Sequence, residues 1–290
     1  ARHCSVALGS DTIGSVRIPA AFCGTSALKP SSGLVSIGGA IPVHPRFDHI
    51  GPIVPSATDL EPVLAAIAGY DRSCAVSFPV MLTAPRDGTL PPTLGYAVGL
   101  NDLAVSEAVV TAYNRGIAAL RALGAQLVPV DLRRWDLARV RRAILALCEL
   151  EMWRVHRRRV LERPEDFSDG LRAFIRYGGK LSAEDVAAAE RRIAVFAVEW
   201  SMATQAFDAV VMPTVACTSF PHGERHPHNT ADLTAIATAV GAPAASVPLP
   251  VAAGTLPIGL QIVGRPAGDR RVCQLAVAIE RELRPQRGTT

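Results

Sequence analysis

A glycine-rich run near the start of the chain combines one serine hydroxyl with fixed charges. The run covers residues 9–24 and places Ser15 directly after Gly14, with Asp11 and Arg17 on either side. An alkyl hydroxyl becomes a useful nucleophile only with a proton acceptor in reach and with donors for the oxyanion that forms when it attacks a carbonyl. The run therefore makes Ser15 a candidate nucleophile for acyl transfer.

The backbone of the same run is a candidate oxyanion hole. On a tight turn, consecutive N–H groups can point at one spot, and Asp11 and Arg17 can fix such a turn through a charge-assisted ion pair. A serine next to a glycine is also a common turn or capping residue, so a purely structural role is the competing interpretation. The predicted backbone donors are those of Thr12, Ile13, Gly14 and Ser15.

The spacing of the residues around Ser15 resembles that of the amidase signature family. Matching positions in the first part of the chain are Gly9, Asp11, Gly14, Ser15, Arg17, Pro19, Ala20, Phe22, Cys23, Gly24, Leu28, Lys29, Pro30 and Gly33. Further matching segments lie at residues 48–52, 58–59, 67–71, 207–214 and 257–266.

The resemblance implies a Ser-Ser-Lys amidohydrolase in which Ser15 is the nucleophile and no cofactor takes part. In that family a lysine and a second serine, both upstream of this run, activate the nucleophile. The chain is therefore expected to be the C-terminal two thirds of such an enzyme. Where the family usually has a glycine, this chain has Ile13, and a β-branched residue is disfavoured at positive φ. We expect Ile13 either to keep an ordinary conformation or to strain the hole.

Two other constellations are weaker candidates for this chemistry. Lys29 and Lys180 are the two lysines of the chain, and neither is expected to replace the upstream lysine. The first lies in the Leu-Lys-Pro segment, where the family's lysine is not catalytic, and the second lies in a connection predicted to be exposed. Adjacent Asp48 and His49 point to opposite sides of an extended segment, which argues against a Ser-His-Asp relay with Ser15.

The polar loop of residues 221–229 carries His222, His226 and His228 together with Glu224. Such side chains can bind metal ions, but their spacing shows no order, and no metal site is predicted. In the family the segment before this loop approaches the substrate pocket. The loop is therefore a candidate substrate-facing loop.

Composition excludes several classes of protein. No apolar stretch reaches the roughly 20 residues that cross a bilayer, and no export signal opens the chain, so we expect a cytoplasmic protein that does not bind membranes. The net charge of +4 comes without a basic patch interleaved with aromatic residues, so nucleic acid is not a predicted partner. The six cysteines lack paired or metal-type spacing and are expected to be reduced, with Cys23 and Cys148 buried.

The order of predicted elements favours an α/β fold. We expect a single large mixed β-sheet flanked by helices on both faces, which is the amidase signature fold without its N-terminal part. The last three strands are near-continuous apolar runs, typical of strands covered on both faces. Predicted helices cover residues 59–69, 106–123, 136–162, 182–207 and 270–283, and predicted strands cover residues 6–8, 33–37, 127–132, 209–212, 245–249 and 258–263.

We expect one amidase signature domain over residues 1–290. It comprises a signature core over 1–72, a mainly helical middle region over 73–207, and C-terminal strands and a helix over 208–290. The predicted activity is hydrolysis of the C–N bond of a small-molecule amide through a serine acyl-enzyme, and a homo-oligomer is compatible with it. The alternative is a catalytically inactive amidase-like binding or scaffold subunit.

Overall fold

One mixed β-sheet of eight strands organises the computed structural model, which describes residues 4–80, 82, 92–122 and 124–283. The strands are β1 (Ala7–Asp11), β2 (Ser26–Lys29), β3 (His49–Val54), β4 (Thr93–Val98), β5 (Gln126–Asp131), β6 (Ala209–Pro213), β7 (Ala244–Pro248) and β8 (Gly259–Val263). Their order across the sheet is β1-β3-β2-β7-β8-β6-β4-β5. Strand β4 runs parallel to β5 and β6, and the other neighbouring pairs are antiparallel.

Helices cover both faces of this sheet. They are α1 (Arg17–Cys23), α2 (Leu60–Ile67), α3 (Glu107–Ala122), α4 (Leu137–Glu162), α5 (Asp169–Gly178), α6 (Ala183–Thr204), α7 (Asp232–Ala239) and α8 (Asp269–Leu283). Every residue of β2, β6 and β8 is buried, which requires cover on each side of these strands. The predicted α/β fold with a single mixed sheet is confirmed.

Several predicted helices begin and end close to the expected residues. Helix α3 buries Tyr113, Ile117 and Leu120, and the Tyr113 hydroxyl donates hydrogen bonds to the carbonyl oxygens of Ala97 and Val211. Helix α3 is thereby fixed against β4 and β6. The start of α6 is a complete capping box, in which Ser182 and the third helical residue exchange hydrogen bonds.

Two sequence predictions about this part of the chain are wrong. Residues 33–37 form no strand, because Gly33 has a φ of 75° and the Phe78 ring packs against it, and Val35 forms only an isolated bridge. Cys23 is exposed at the end of α1, whereas Cys148 is buried as expected. The first strand is longer than predicted and ends at Asp11.

The elements that matter for the candidate chemistry lie around the C-terminal end of β1. Residues 12–16, here called the serine turn, connect β1 directly to α1. Helix α7 is wholly buried from its second residue onward and contacts this turn from a distant part of the sequence. Within the described ranges, no helix has both the length and the apolar character that crossing a membrane would require.

Candidate active site

Gly14 sets the conformation of the serine turn. Its φ is 138°, and a Cβ at this position would lie 2.5 Å from Thr234 Oγ1 and 2.7 Å from Ile18 Cδ1. A larger residue is therefore excluded both by backbone conformation and by space. Ile13 is not among the described non-glycine residues with positive φ. Of the two alternatives for Ile13, an ordinary backbone conformation is therefore the one observed.

A buried ion pair holds the two ends of the serine turn together. Asp11 and Arg17 are both fully buried, and each carboxylate oxygen accepts one guanidinium hydrogen bond of 2.9 Å. Asp11 Oδ2 also accepts the backbone N–H groups of Val16 and Arg17, at 3.3 and 3.4 Å. Burial alone would raise the pKa of Asp11, but the charge and hydrogen bonds of Arg17 outweigh it and lower the pKa to about 2.

The same guanidinium connects the turn to the sheet and to α7. Arg17 Nη1 donates to Gln261 Oε1 on β8 at 2.7 Å and to the Thr234 carbonyl at 2.9 Å. The Gln261 amide in turn donates to the Leu233 carbonyl at 3.1 Å. Sequence reasoning missed Gln261, although a polar residue inside an otherwise apolar strand was a visible signal.

Helix α7 fixes the direction of two peptide groups in the turn. Thr238 Oγ1 donates to the Thr12 carbonyl at 3.0 Å, and Thr234 Oγ1 donates to the Ile13 carbonyl at 2.5 Å. The C=O and N–H of a trans peptide point in opposite directions, so the N–H groups of Ile13 and Gly14 face away from α7. Sequence reasoning also missed this helix, whose two threonines stand four residues apart on one face.

Four consecutive backbone donors of the turn have no acceptor within the described part of the protein. They are the N–H groups of Thr12, Ile13, Gly14 and Ser15. The Gly14 carbonyl accepts from Ile18 N at 2.7 Å and starts the α1 hydrogen-bond pattern, which turns the N–H of Ser15 away from the helix. An electronegative atom placed beside these donors would receive hydrogen bonds that the protein itself leaves unused.

Ser15 is exposed and faces a cavity of about 320 Å³, here called the Ser15 cavity. The turn contributes Thr12, Ile13 and Ser15 to its wall. Among the described residues, no hydrogen-bond partner occupies the Ser15 hydroxyl, so its oxygen is free to meet a bound molecule. The rest of the wall consists of Val43, Arg141, Leu145, Cys148, Phe174, His226, Pro227, His228, Thr230 and Ala231.

Asp48 and His49 point apart, as predicted. Asp48 accepts hydrogen bonds from Thr12 Oγ1 at 2.7 Å and from the backbone of Val43 and His44. His49 is buried on the other side, with Nδ1 2.7 Å from the Phe47 carbonyl, and burial lowers its pKa to about 3. This histidine is a neutral structural residue that takes no part in a relay with Ser15.

Neither lysine of the chain lies in the Ser15 cavity. Lys29 is buried, donates to the Pro30 carbonyl at 2.8 Å, and has its pKa lowered to about 7 by burial and by the charge of Arg17. Lys180 is exposed directly after α5. Across the described ranges, no three His, Cys, Asp or Glu side chains are grouped so that they could hold a metal ion.

A single mixed sheet covered by helices, with a glycine-supported serine turn at a cavity, defines an α/β protein of the amidase signature type. The chain belongs to the amidase family, whose sequence model matches residues 1–273.

Similar proteins cover nearly the whole chain. A glutamyl-tRNA(Gln) amidotransferase subunit of Thermosynechococcus vestitus is 32% identical over 318 aligned residues, covering 97% of this chain and 64% of the relative. A solved structure of an amidase gives a TM-score of 0.84 at 29% identity, over 96% of this chain and 63% of that one. The corresponding glutamyl-tRNA(Gln) amidotransferase subunit from Thermotoga maritima gives 0.77 at 27% identity, over 96% and 62%. This chain spans less than two thirds of their length.

Proposed function

We propose that this chain carries the nucleophile and the oxyanion-binding backbone of an enzyme that hydrolyses amide C–N bonds through a serine acyl-enzyme. The observation that carries the proposal is the exposed Ser15 hydroxyl in a cavity, next to four backbone N–H groups without acceptors among the described residues. Membership of the amidase family supports the same reaction. A serine used only as a turn residue would need neither the cavity nor the free donors.

In the proposed reaction, Ser15 Oγ attacks the amide carbonyl carbon and gives its proton to an acceptor. The developing oxyanion receives hydrogen bonds from the backbone of the serine turn, at donors whose direction is already fixed by α7. The C–N bond then breaks, and ammonia or an amine leaves after gaining a proton. Water attacks the acyl-enzyme, releases the carboxylate product and restores the hydroxyl of Ser15.

The proton acceptor in this proposal is the lysine and serine pair that the family carries upstream of the nucleophile. Lys29 has the lowered pKa that a lysine base needs, but its Nζ is bound to the Pro30 carbonyl away from the Ser15 cavity. The relatives are longer than this chain. We therefore assign the acceptor to the family's lysine and serine pair and not to Lys29.

The Ser15 cavity favours a small-molecule amide with an apolar acyl group. Val43, Leu145 and Phe174 contribute an apolar wall, and the volume of about 320 Å³ fits a compact substrate. The charge of Arg141 is already matched by an ion pair with Asp232, so the wall does not require an anionic substrate.

One observation favours a second function, that of an inactive binding or scaffold subunit. Among the described residues that line the Ser15 cavity none is a lysine, so the hydroxyl has no lysine acceptor within this chain. The Thermosynechococcus vestitus relative is one subunit of an amidotransferase, and a role within a complex is compatible with either function.

A fluorophosphonate probe, which reacts with activated serine hydroxyls, separates the two functions in the intact protein. We expect the probe to label Ser15 and the Ser15→Ala variant to lose both label and amide hydrolysis, the latter by roughly 10⁴-fold or more. The matched control is Ser10→Ala, because Ser10 is exposed on β1 outside the Ser15 cavity. Unchanged amide hydrolysis by Ser15→Ala would refute the assignment, and a folded protein that takes no label would favour the inactive subunit.

A further inference from the structure

The outer side of helix α6 carries a largely apolar row of side chains. Its five positions, here called the α6 stripe, are Ala188, Arg191, Val195, Val198 and Met202. Their alternating steps of three and four residues place them on one side of the helix, in the spacing by which two helices pack along a seam. Val195, Val198 and Met202 are 55%, 60% and 67% exposed, whereas the opposite side of α6 is buried. Single exposed apolar residues are common, but a continuous row indicates an interaction surface.

A groove of about 360 Å³ runs beside the N-terminal half of the stripe. It lies between α6 and the segment that leads into α4, and Trp135, Val140 and Phe196 contribute apolar wall to it. The small side chain of Ala188 also lines the groove. An unbranched, flexible apolar side chain fills an irregular groove well. Met202, at the other end of the same stripe, is a side chain of this kind.

Charged residues on this side of α6 have no ion-pair partner among the described residues. Arg191 and Arg192 lie in the first half of the stripe, and Glu199 lies in the second half. None of the three side chains forms a described ion pair, whereas Glu190 on the same helix pairs with Arg46. Arg192 and Glu199 are about two turns apart, and side chains at that separation do not meet within one helix.

A second copy of α6 would supply both the missing charges and the side chain for the groove. Two copies related by a two-fold axis across the helix run antiparallel, so each residue meets the one equally far beyond the axis. With the axis near Val195, Arg192 of one copy lies beside Glu199 of the other, and Met202 lies beside Ala188 and the groove. A parallel arrangement would place arginine beside arginine, which is unfavourable. The stripe is therefore self-complementary only in the antiparallel direction.

We propose that the α6 stripe is a homodimer interface, in which two copies of this helix pack antiparallel about a two-fold axis near Val195. Each Met202 side chain enters the groove of the other copy, and two ion pairs between Arg192 and Glu199 flank the apolar seam. No residue of the stripe lines the Ser15 cavity. The dimer therefore does not depend on the proposed function.

Charge reversal tests this interface in the intact protein, with the dimer dissociation constant measured by sedimentation velocity. Arg192→Glu and Glu199→Arg each place like charges across the axis, and each is expected to raise Kd about 10-fold or more. The double variant Arg192→Glu with Glu199→Arg exchanges the two charges and is expected to return Kd to within about threefold of the parent value, because the two sites are coupled. A helix that had merely lost stability would not be rescued in this way.

The matched control for the charge change is Arg157→Glu. Arg157 is exposed on α4, outside the stripe and the groove, so Kd is expected to stay unchanged. A protein that sediments as a monomer at every concentration would overturn the proposal. A dimer that tolerates both single variants, or that Arg157→Glu weakens equally, would overturn it too. Weakening that the double variant fails to reverse would overturn the antiparallel arrangement.

Discussion

At the scale of single residues, a buried ion pair and two side chains from distant parts of the chain hold the serine turn. Asp11 and Arg17 form the ion pair expected from their spacing. Their remaining partners, Gln261 and Thr234, come from more than 200 residues away, and no local pattern relates such distant positions. The sequence did not decide the backbone conformation of Ile13, because the threonine that binds its carbonyl is equally distant in the chain.

Lys29 makes the stability of the protein depend on pH above neutrality. Burial lowers its pKa from 10.5 to about 7, so between these values the folded lysine is neutral while the unfolded lysine is protonated. The unfolded state then binds more protons, and the free energy of unfolding rises with pH across this window. The contribution of this group to the slope is at most about 1.4 kcal/mol per pH unit.

Replacing Lys29 with methionine isolates this effect, because all other titrating groups are common to both proteins. Urea unfolding between pH 7 and 10 is expected to show a smaller increase of stability with pH in Lys29→Met than in the parent. The variant is also expected to be more stable at pH 7, where the parent still holds a partly protonated buried amine. Identical slopes in the two proteins would contradict the lowered pKa.

At the scale of elements, long amphipathic helices and fully apolar strands were predictable, and short or fully buried elements were not. Helix α7 has eight residues and almost no exposed face, so it lacks the apolar stripe that marks a surface helix. Strand β3 contains Gly51 and Pro52, residues that normally argue against a strand interior. Gly51 is required there, because a Cβ would lie 2.0 Å from the Leu28 carbonyl oxygen on β2.

Helix α7 is expected to act on catalysis through the carbonyls that it holds. Thr234→Val removes the donor to the Ile13 carbonyl while keeping the shape of the side chain. The loosened peptide would present its N–H less well to the oxyanion, so kcat should fall roughly 10-fold or more with little change in KM. Loss of the hydrogen bond should cost about 1 kcal/mol of stability.

The control for this effect is Thr204→Val. Thr204 Oγ1 donates to the Trp200 carbonyl at 2.8 Å at the end of α6, far along the chain from the serine turn. A similar loss of stability without a fall in kcat is expected there. Equal kcat values in the two variants would show that α7 has no specific effect on the turn.

At the scale of the whole molecule, the two edges of the sheet differ in how well they are protected. Strand β5 contains Pro129. Proline has no backbone N–H, so this edge is less able to pair with another strand. Strand β1 pairs on one side only among the described residues, and Leu8 is 55% exposed on it. An open edge with apolar side chains favours pairing with another chain.

We therefore expect residues 1–290, prepared alone, to self-associate through β1. Sedimentation velocity should show a sedimentation coefficient that rises with protein concentration, and Leu8→Lys should reduce this rise by placing a charge on the edge. Val128→Lys on β5 is the matched control and should leave association unchanged. A concentration-independent monomer that melts cooperatively would contradict this expectation.

The hydrogen bond from Arg17 to Gln261, across 244 positions of the chain, has a consequence for biosynthesis. The serine turn is translated before the two threonines of α7 and the glutamine of β8 that contact it. The serine turn therefore acquires these contacts only after β8 has been translated. If Ser15 is the nucleophile that we propose, nascent and prematurely terminated chains would lack the contacts that orient it.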